Sequence, residues 1–312
     1  MPLFEIPPVA EPVPAPRIPV GVSATKVLII GIDGLRWDRL AEADVPRLRS
    51  LSENGLFAPS RLDLTAGAQT LSGPGWSTFA TGVLPDRHGV RDNTFAGKRY
   101  DRYPDFLTRL KRANPGLSTY AAVDWPPLFD EGTFGPLIDG RVLLDGEEEG
   151  YLAQDARLVE VSARVLRHGD PDAAFVYLGS VDIVGHATGA MSREYLDMIA
   201  IVDLFVGQLL DAVSSRPGYL NERWLVLIGT DHGHLDTGGH GGFTDAERRT
   251  FIIAHGPGIP AGHRRADSQL VDLAPTVLAH LGVAVDPSWG WRGRSLLTHT
   301  VPSYDAGVPI SA

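Results

Sequence analysis

The segment Val226-Leu227-Ile228-Gly229-Thr230-Asp231-His232-Gly233-His234 decides the fold. Its apolar run has the composition of a strand buried on both faces, the kind found in parallel sheets. The run stops abruptly at Thr-Asp-His. In open α/β sheets, ligand-binding groups gather beyond the carboxyl ends of strands. A carboxylate beside an imidazole at such an end is donor chemistry that zinc takes. His240 follows in Gly238-Gly239-His240-Gly241-Gly242, where glycines permit tight turns and close backbone approach. His234 lies nearer to His232 and is the rival of His240 for a ligand role.

Two further segments repeat this pattern. Lys26 to Ile32 reads as a buried strand and ends at Asp33-Gly34. Ala173 to Leu178 reads as another and runs into Gly-Ser-Val-Asp182-Ile-Val-Gly-His186. In a helix, Asp182 and His186 would share one face, a common two-ligand spacing. Residues 56–62, 117–124 and 250–254 read as further strands, and 46–54, 104–113, 151–168, 192–214 and 270–281 as helices. Strands alternating with helices predict an α/β fold: a largely parallel central sheet covered by helices on both faces. Residues 1–22 carry seven prolines and read as an extended Pro-rich arm. Residues 23–312 then form a single domain, with an irregular loop region around 94–150. Within it, 126–150 reads as a surface loop and Glu147-Glu148-Glu149 as a solvated face.

The 312 residues are 43% hydrophobic and 21% charged, a globular balance. A net charge of −10 disfavours a nucleic-acid-binding surface. With no cysteine, a metal must be held by His, Asp or Glu, which suits zinc, manganese or iron. No run approaches the roughly 20 apolar residues of a membrane span. The start Met-Pro-Leu-Phe-Glu lacks a secretory pattern, so the expected location is cytoplasmic.

The nucleophile candidate lies in Leu71-Ser72-Gly73-Pro74-Gly75, just before a helical stretch from Trp76 to Thr81. A hydroxyl at a helix start is either an N-cap or a nucleophile. Thr70, two residues earlier, is the alternative. Asp33, the Ser72 loop, Asp182 with His186, Asp231 with His232, and His240 all follow strands. A parallel sheet would gather them on one edge, and a two-metal site needs about six such donors.

In this ordered set the sequence resembles the alkaline phosphatase superfamily, and within it the nucleotide pyrophosphatase/phosphodiesterase branch. The matching pieces are Ile-Ile-Gly-Ile-Asp33-Gly, the stretch from Ser72 through Thr81-Gly82 to His88-Gly-Val, Val-Asp182-Ile-Val-Gly-His186, Thr-Asp231-His232-Gly and Gly-Gly-His240-Gly. Ile-Ile-Ala-His-Gly-Pro-Gly-Ile and Asp272-Leu-Ala-Pro-Thr-Val-Leu add to them, so the likeness runs from about 26 to 298. It implies two divalent ions, expected to be zinc. Asp33, Asp231 and His232 would hold the one beside the nucleophile. Asp182, His186 and His240 would hold the one beside the leaving oxygen. The family register puts the nucleophile at Ser72 and a phosphate-contacting Asn at Asn93. Gly-Pro-Gly after Ser72 departs from the Phe-Pro-Asn that often follows the family's Thr.

The implied reaction is cleavage of a phosphodiester or nucleotide pyrophosphate through a covalent phospho-serine. The expected partner is a small phosphate ester or nucleotide. No Arg or Lys lies between Thr65 and Leu84 to bind a dianionic terminal phosphate, and Trp76 and Trp125 offer an apolar wall for a second substituent. A phosphomonoesterase served by Arg36, Arg87 or Arg91, and a phosphonate hydrolase, are the rival enzymes. A phosphate- or sulfate-binding module is the rival without catalysis. His88 reads as a turn anchor, and His255 and His263 as loop histidines.

Overall fold

The structure, a computed structural model, describes residues 4–9 and 11–298. From the N-terminus its elements are strand β1 (Thr25–Ile32), helix α1 (Pro46–Glu53), β2 (Leu56–Arg61), α2 (Ser72–Thr81), α3 (Pro85–His88), α4 (Phe106–Ala113) and β3 (Thr119–Val123). Then come α5 (Pro127–Asp130), β4 (Gly140–Leu143), α6 (Gly146–Glu149), α7 (Tyr151–His168), β5 (Ala173–Leu178), α8 (Ser180–Thr188) and α9 (Arg193–Ser214). β6 (Arg223–Gly229), β7 (Arg249–His255), β8 (His263–Arg264) and α10 (Leu273–His280) complete the set.

One eight-stranded sheet contains all these strands, in the order β4-β3-β5-β1-β6-β7-β2-β8. Every neighbouring pair is parallel except those made by β7, which runs against both β6 and β2. Successive side chains of a strand point to opposite faces, so each face needs its own cover. Leu28, Ile30 and Ile32 of β1 join a core with α1, α7, α8 and α9. Val27 and Ile29 join a second core with α2, α4 and α10. Burial on both faces explains why β1, β5 and β6 are continuous apolar runs.

These three strands are the middle of the sheet and position the site. Ile32 of β1 pairs with Leu178 of β5, and Gly31 with Gly229 of β6. Their C-terminal ends are therefore level, and whatever follows each strand emerges at one place.

The region 126–150 is more ordered than a surface loop. Gly140–Leu143 adds an edge strand parallel to β3, and Asp145 caps α6 by accepting from the Glu147 and Glu148 amides. A four-residue strand is too short to show periodicity. The acid run thus forms the helix itself, with carboxylates placed near the positive end of its dipole. The two-residue β8 is likewise below the reach of a pattern. The described part of the Pro-rich arm has no regular structure and lies on the domain: Ser118 donates to the Pro19 carbonyl, Arg164 to that of Val13, and Ile18 packs on the core. Among the described residues no helix is long and apolar enough to cross a membrane.

Candidate metal centre

Asp33 follows β1, Asp231 and His232 follow β6, and Asp182 lies on α8, the helix that begins two residues after β5. Fold topology alone thus converges residues separated by up to 199 positions in the chain (33 to 232). Two donor clusters result. Asp33, Asp231 and His232 form one, and Asp182, His232, His234 and His240 the other, with ligand atoms in each lying within 4.8 Å of one another.

The first cluster is fully buried. His232 Nε2 stands 3.4 Å from Asp33 Oδ1 and 3.2 Å from Asp231 Oδ2. Bonds of about 2.0 Å in a tetrahedral zinc site put donors about 3.3 Å apart, so this spacing fits a metal. The other Asp33 oxygen accepts from Tyr177 OH at 2.6 Å and Trp76 Nε1 at 2.9 Å. Asp33 Oδ1 and Asp231 Oδ2 are buried and have no hydrogen-bond partner among the described residues. Burial, with the Asp182 charge, pushes the Asp33 carboxyl up to about 7. Burial, with the Asp33 and Asp182 charges, pushes Asp231 well above the carboxylate range. Two buried carboxylates, each with one oxygen unpartnered among the described residues, fit a divalent ion held by both, which would neutralise their charge.

The second cluster is richer in imidazole. Asp182 Oδ1 lies 2.8 Å from His234 Nε2 and 3.4 Å from His240 Nε2. Burial raises the Asp182 pKa, but hydrogen bonds from His234 and His240 outweigh it and hold the group well below the usual range. Burial, with His240 nearby, keeps His232 neutral, its pKa far below the ordinary value. Burial also depresses His240, but the contact with Asp182 outweighs that and raises it. The His232 and His240 rings stack with centroids 3.7 Å apart.

All three buried imidazoles point Nδ1 at a backbone carbonyl: His232 at Gly233, 3.1 Å; His234 at Gly239, 3.2 Å; His240 at Thr70, 2.6 Å. A carbonyl only accepts, so Nδ1 carries the proton. In the neutral ring Nε2 is then left with a lone pair aimed into the site, which is how proteins prepare a metal-ligating histidine; a ring that also carries an Nε2 proton is the one that donates to Asp182. His186 is placed differently. Its Nε2 reaches Asp182 Oδ2 at 3.4 Å across one turn of α8, and its side chain is 45% exposed. It stands outside both donor clusters.

Ser72 is the first residue of α2 and is buried, its Oγ 3.2 Å from His232 Nε2. It does not cap the helix: the N-cap position belongs to Leu71. Asn93 accepts from the Gly73 amide at 2.7 Å, which fixes its carboxamide beside Ser72. Thr70 is engaged elsewhere. Its hydroxyl donates to the Gly242 carbonyl and accepts from the Gly241 amide, latching the His240 loop.

The two expected substrate-wall residues are placed otherwise. Trp76 is fully buried over Gly31, where a Cβ would stand 2.4 Å from its ring, and its indole is spent on Asp33. Trp125 is buried too and packs on Phe95. Both tryptophans belong to the core on the α2 side of the sheet. The arginine in the Asp33-Gly34-Leu35-Arg36 turn is consumed as well: Arg36 binds Asp38, Asp236 and the His234 carbonyl. His88 anchors the turn after α2 through Thr78 and the Val90 amide. The holders of Asp33, Trp76 and Tyr177, were not visible as such in the sequence. Tyr177 carries a signal in retrospect, since it shares a strand face with Phe175 and ends one residue before its strand does.

The sequence matches the family pattern described as type I phosphodiesterase / nucleotide pyrophosphatase over residues 27–134 and 143–248. An uncharacterized pyrophosphatase/phosphodiesterase of Schizosaccharomyces pombe is 25% identical over 276 residues, covering 80% of this chain and 53% of the relative. Mouse ectonucleotide pyrophosphatase/phosphodiesterase family member 7 is 28% identical over 224 residues, covering 67% of this chain and 49% of the relative. The chain thus spans about half the length of these curated relatives. Among solved structures, human ectonucleotide pyrophosphatase/phosphodiesterase 5 superposes with a TM-score of 0.62 at 16% identity, covering 84% of this chain and 96% of that one. The chain belongs to the type I phosphodiesterase / nucleotide pyrophosphatase family of the alkaline phosphatase superfamily.

Proposed function

We propose that the protein hydrolyses phosphodiester or nucleotide pyrophosphate bonds, with Ser72 as nucleophile and two divalent ions, zinc by donor chemistry, as cofactors. The observation that carries this reading is the placement of Ser72. Its hydroxyl lies 3.2 Å from His232 Nε2, the one donor common to both clusters, and takes no part in capping. Asp33, Asp231 and His232 are the donors for one ion; Asp182, His186 and His240 are those for the other. When bound, such ions polarise phosphoryl oxygens and stabilise the entering and leaving oxygens of an in-line displacement.

The chain's own groups set the geometry. Ser72 Oγ forms a bond to phosphorus as the ester oxygen leaves, giving a phospho-serine; water then cleaves that bond and restores the hydroxyl. The Asn93 carboxamide is pinned by its oxygen to the Gly73 amide, so its NH2 is aimed to donate to a phosphoryl oxygen. The N-terminal end of α2 adds a positive partial charge beside Ser72. Arg36 is saturated by Asp38 and Asp236, which withholds that guanidinium from a dianionic phosphate. This favours a diester, with one charge fewer, over a monoester.

The test is a panel of bis-p-nitrophenyl phosphate, p-nitrophenyl phosphate, ATP, dinucleotides and phosphonoacetate with zinc-loaded protein. Diester and pyrophosphate turnover should dominate; a monoester or phosphonate rate far above them overturns the substrate class. Ser72→Ala should bind metal normally and lose turnover by more than about 10^3-fold. Full activity in that variant would remove Ser72 from the chemistry.

A further inference from the structure

We infer that His234 donates Nε2 directly to the metal held by Asp182 and His240. This rests on the two-metal reading above and adds a donor that the family motif does not supply. Three observations lead to it.

The first is a conflict of lone pairs. His234 Nδ1 lies 3.2 Å from the Gly239 carbonyl, so a neutral ring that donates there leaves Nε2 as an acceptor. That Nε2 faces Asp182 Oδ1, another acceptor, at 2.8 Å. Two lone pairs at this distance repel unless a cation lies between them or beside both. The cation is a proton or a metal. With an ion on Asp182 and His240, an imidazolium at His234 would face that ion across a shared oxygen. Ligation by the neutral ring removes the repulsion.

The second is the shape of the cradle. The ring is fully buried, and its Nε2 sits where two glycines leave space. A Cβ on Gly34 would stand 2.6 Å from Nε2, and one on Gly185 would stand 2.8 Å from it. These glycines adjoin Asp33 and His186, so the ligand segments themselves are hollowed out for this imidazole. Its backbone is held as well, by Arg36 Nη1 on the His234 carbonyl at 3.2 Å and by the Leu235 amide on the Gly239 carbonyl at 2.9 Å.

The third is the rank of the donors. His234 lies in the cluster whose ligand atoms are all within 4.8 Å of one another, and His186 does not. The His234 side chain is 0% exposed and that of His186 45%. The inner donor is therefore His234, and His186 closes the site from the rim.

The experiment is NMR of histidine-15N-labelled protein loaded with 113Cd, with the His234 signal assigned by its loss in His234→Gln. A 113Cd–15N coupling at His234 Nε2 is the expected result. Couplings at other imidazoles with none at His234 overturn the inference and leave the proposed function standing. No coupling at any imidazole sinks the two-metal reading itself. Titration of Zn2+ gives a second, independent readout. His234→Gln should weaken one of two ions by more than roughly 100-fold, the upper range for losing an outer-shell partner, and by more than His186→Gln does. His186→Gln alters an exposed ring and should fold; if His234→Gln does not, the His234 signal is assigned in wild-type protein by through-ring correlation to its carbon-bound protons. A larger loss in His186→Gln than in His234→Gln overturns the inference.

Discussion

The two donor clusters share His232 yet are built on opposite electrostatic plans. Asp33 and Asp231 are buried together, each with an oxygen that no group among the described residues satisfies, and both carboxyls are pushed up. Asp182 sits alone among imidazoles and is pushed down. The first cluster concentrates negative charge that a divalent ion would neutralise. The second is compensated where its ring nitrogens carry protons. Ions bound at the two places should therefore differ in what they contribute to the fold: the first relieves repulsion, the second replaces contacts that exist without it.

The largest expected effect comes from neutralising one carboxylate in each cluster. Asp231→Asn and Asp182→Asn should each bind one ion fewer. In chelator at pH 7 their stabilities should move in opposite directions. Burial against Asp33 and Asp182 pushes the Asp231 carboxyl well above the carboxylate range, so Asn in its place should stabilise the metal-free protein. Asp182 gains from being charged in the fold, so Asp182→Asn should destabilise it, by about 1.5–3 kcal/mol for a lost hydrogen bond to a charged group. Denaturant melts of the two chelated variants decide the matter, and shifts of the same sign would erase the distinction between the clusters.

A pH series sharpens it. The folded Asp33 carboxyl titrates at about 7, against 3.8 when unperturbed. A raised carboxyl pKa means the folded state holds the proton more tightly. Its contribution is complete below about 4 and is lost as pH climbs to about 7. The chelated wild type should therefore carry a downward slope of stability across that window that Asp33→Asn lacks. Zinc affinity should rise over the same window, because binding displaces the proton. Identical slopes in the two chelated proteins would show that Asp33 is not strained.

Why the sequence revealed the candidate donors but not the groups that hold them is a matter of range. Asp33, Asp182, Asp231 and His232 follow strands whose apolar runs are continuous, and parallel pairing alone brings such ends together. The family register places Ser72, whereas its helix alone leaves N-cap and nucleophile both open. Trp76 could not be placed: as a residue just inside an apolar helix it reads as a core or wall aromatic, and only the packing over Gly31 reveals its indole on Asp33. The burial of Trp125 was out of reach for the same reason, since it depends on neighbours such as Phe95 that lie 30 residues away in the chain (95 to 125). His234 was ambiguous because the segment Gly233 to Gly242 has no periodicity to read. Its path is set by Thr70 and Arg36, both distant in the chain, and by Glu247, five residues beyond Gly242. β4 went unseen because four residues carry too little pattern.

The smallest effect tests how each cluster is aligned. The imidazoles are oriented by backbone carbonyls, at Gly233, Gly239 and Thr70. Asp33 is oriented by two side chains, Trp76 and Tyr177, both on the same oxygen. A substitution can remove side-chain donors but not carbonyls. Trp76→Phe and Tyr177→Phe should each lower the affinity of the ion at Asp33, by about 10-fold to 100-fold as expected for an outer-shell partner. The ion at Asp182 should be nearly unaffected. Zinc titration followed by calorimetry separates the two binding steps. Equal weakening of both steps would mean that the variants loosen the sheet edge as a whole. Loss confined to one step means that the indole and phenol hold Asp33 so that its unpaired oxygen points at the metal.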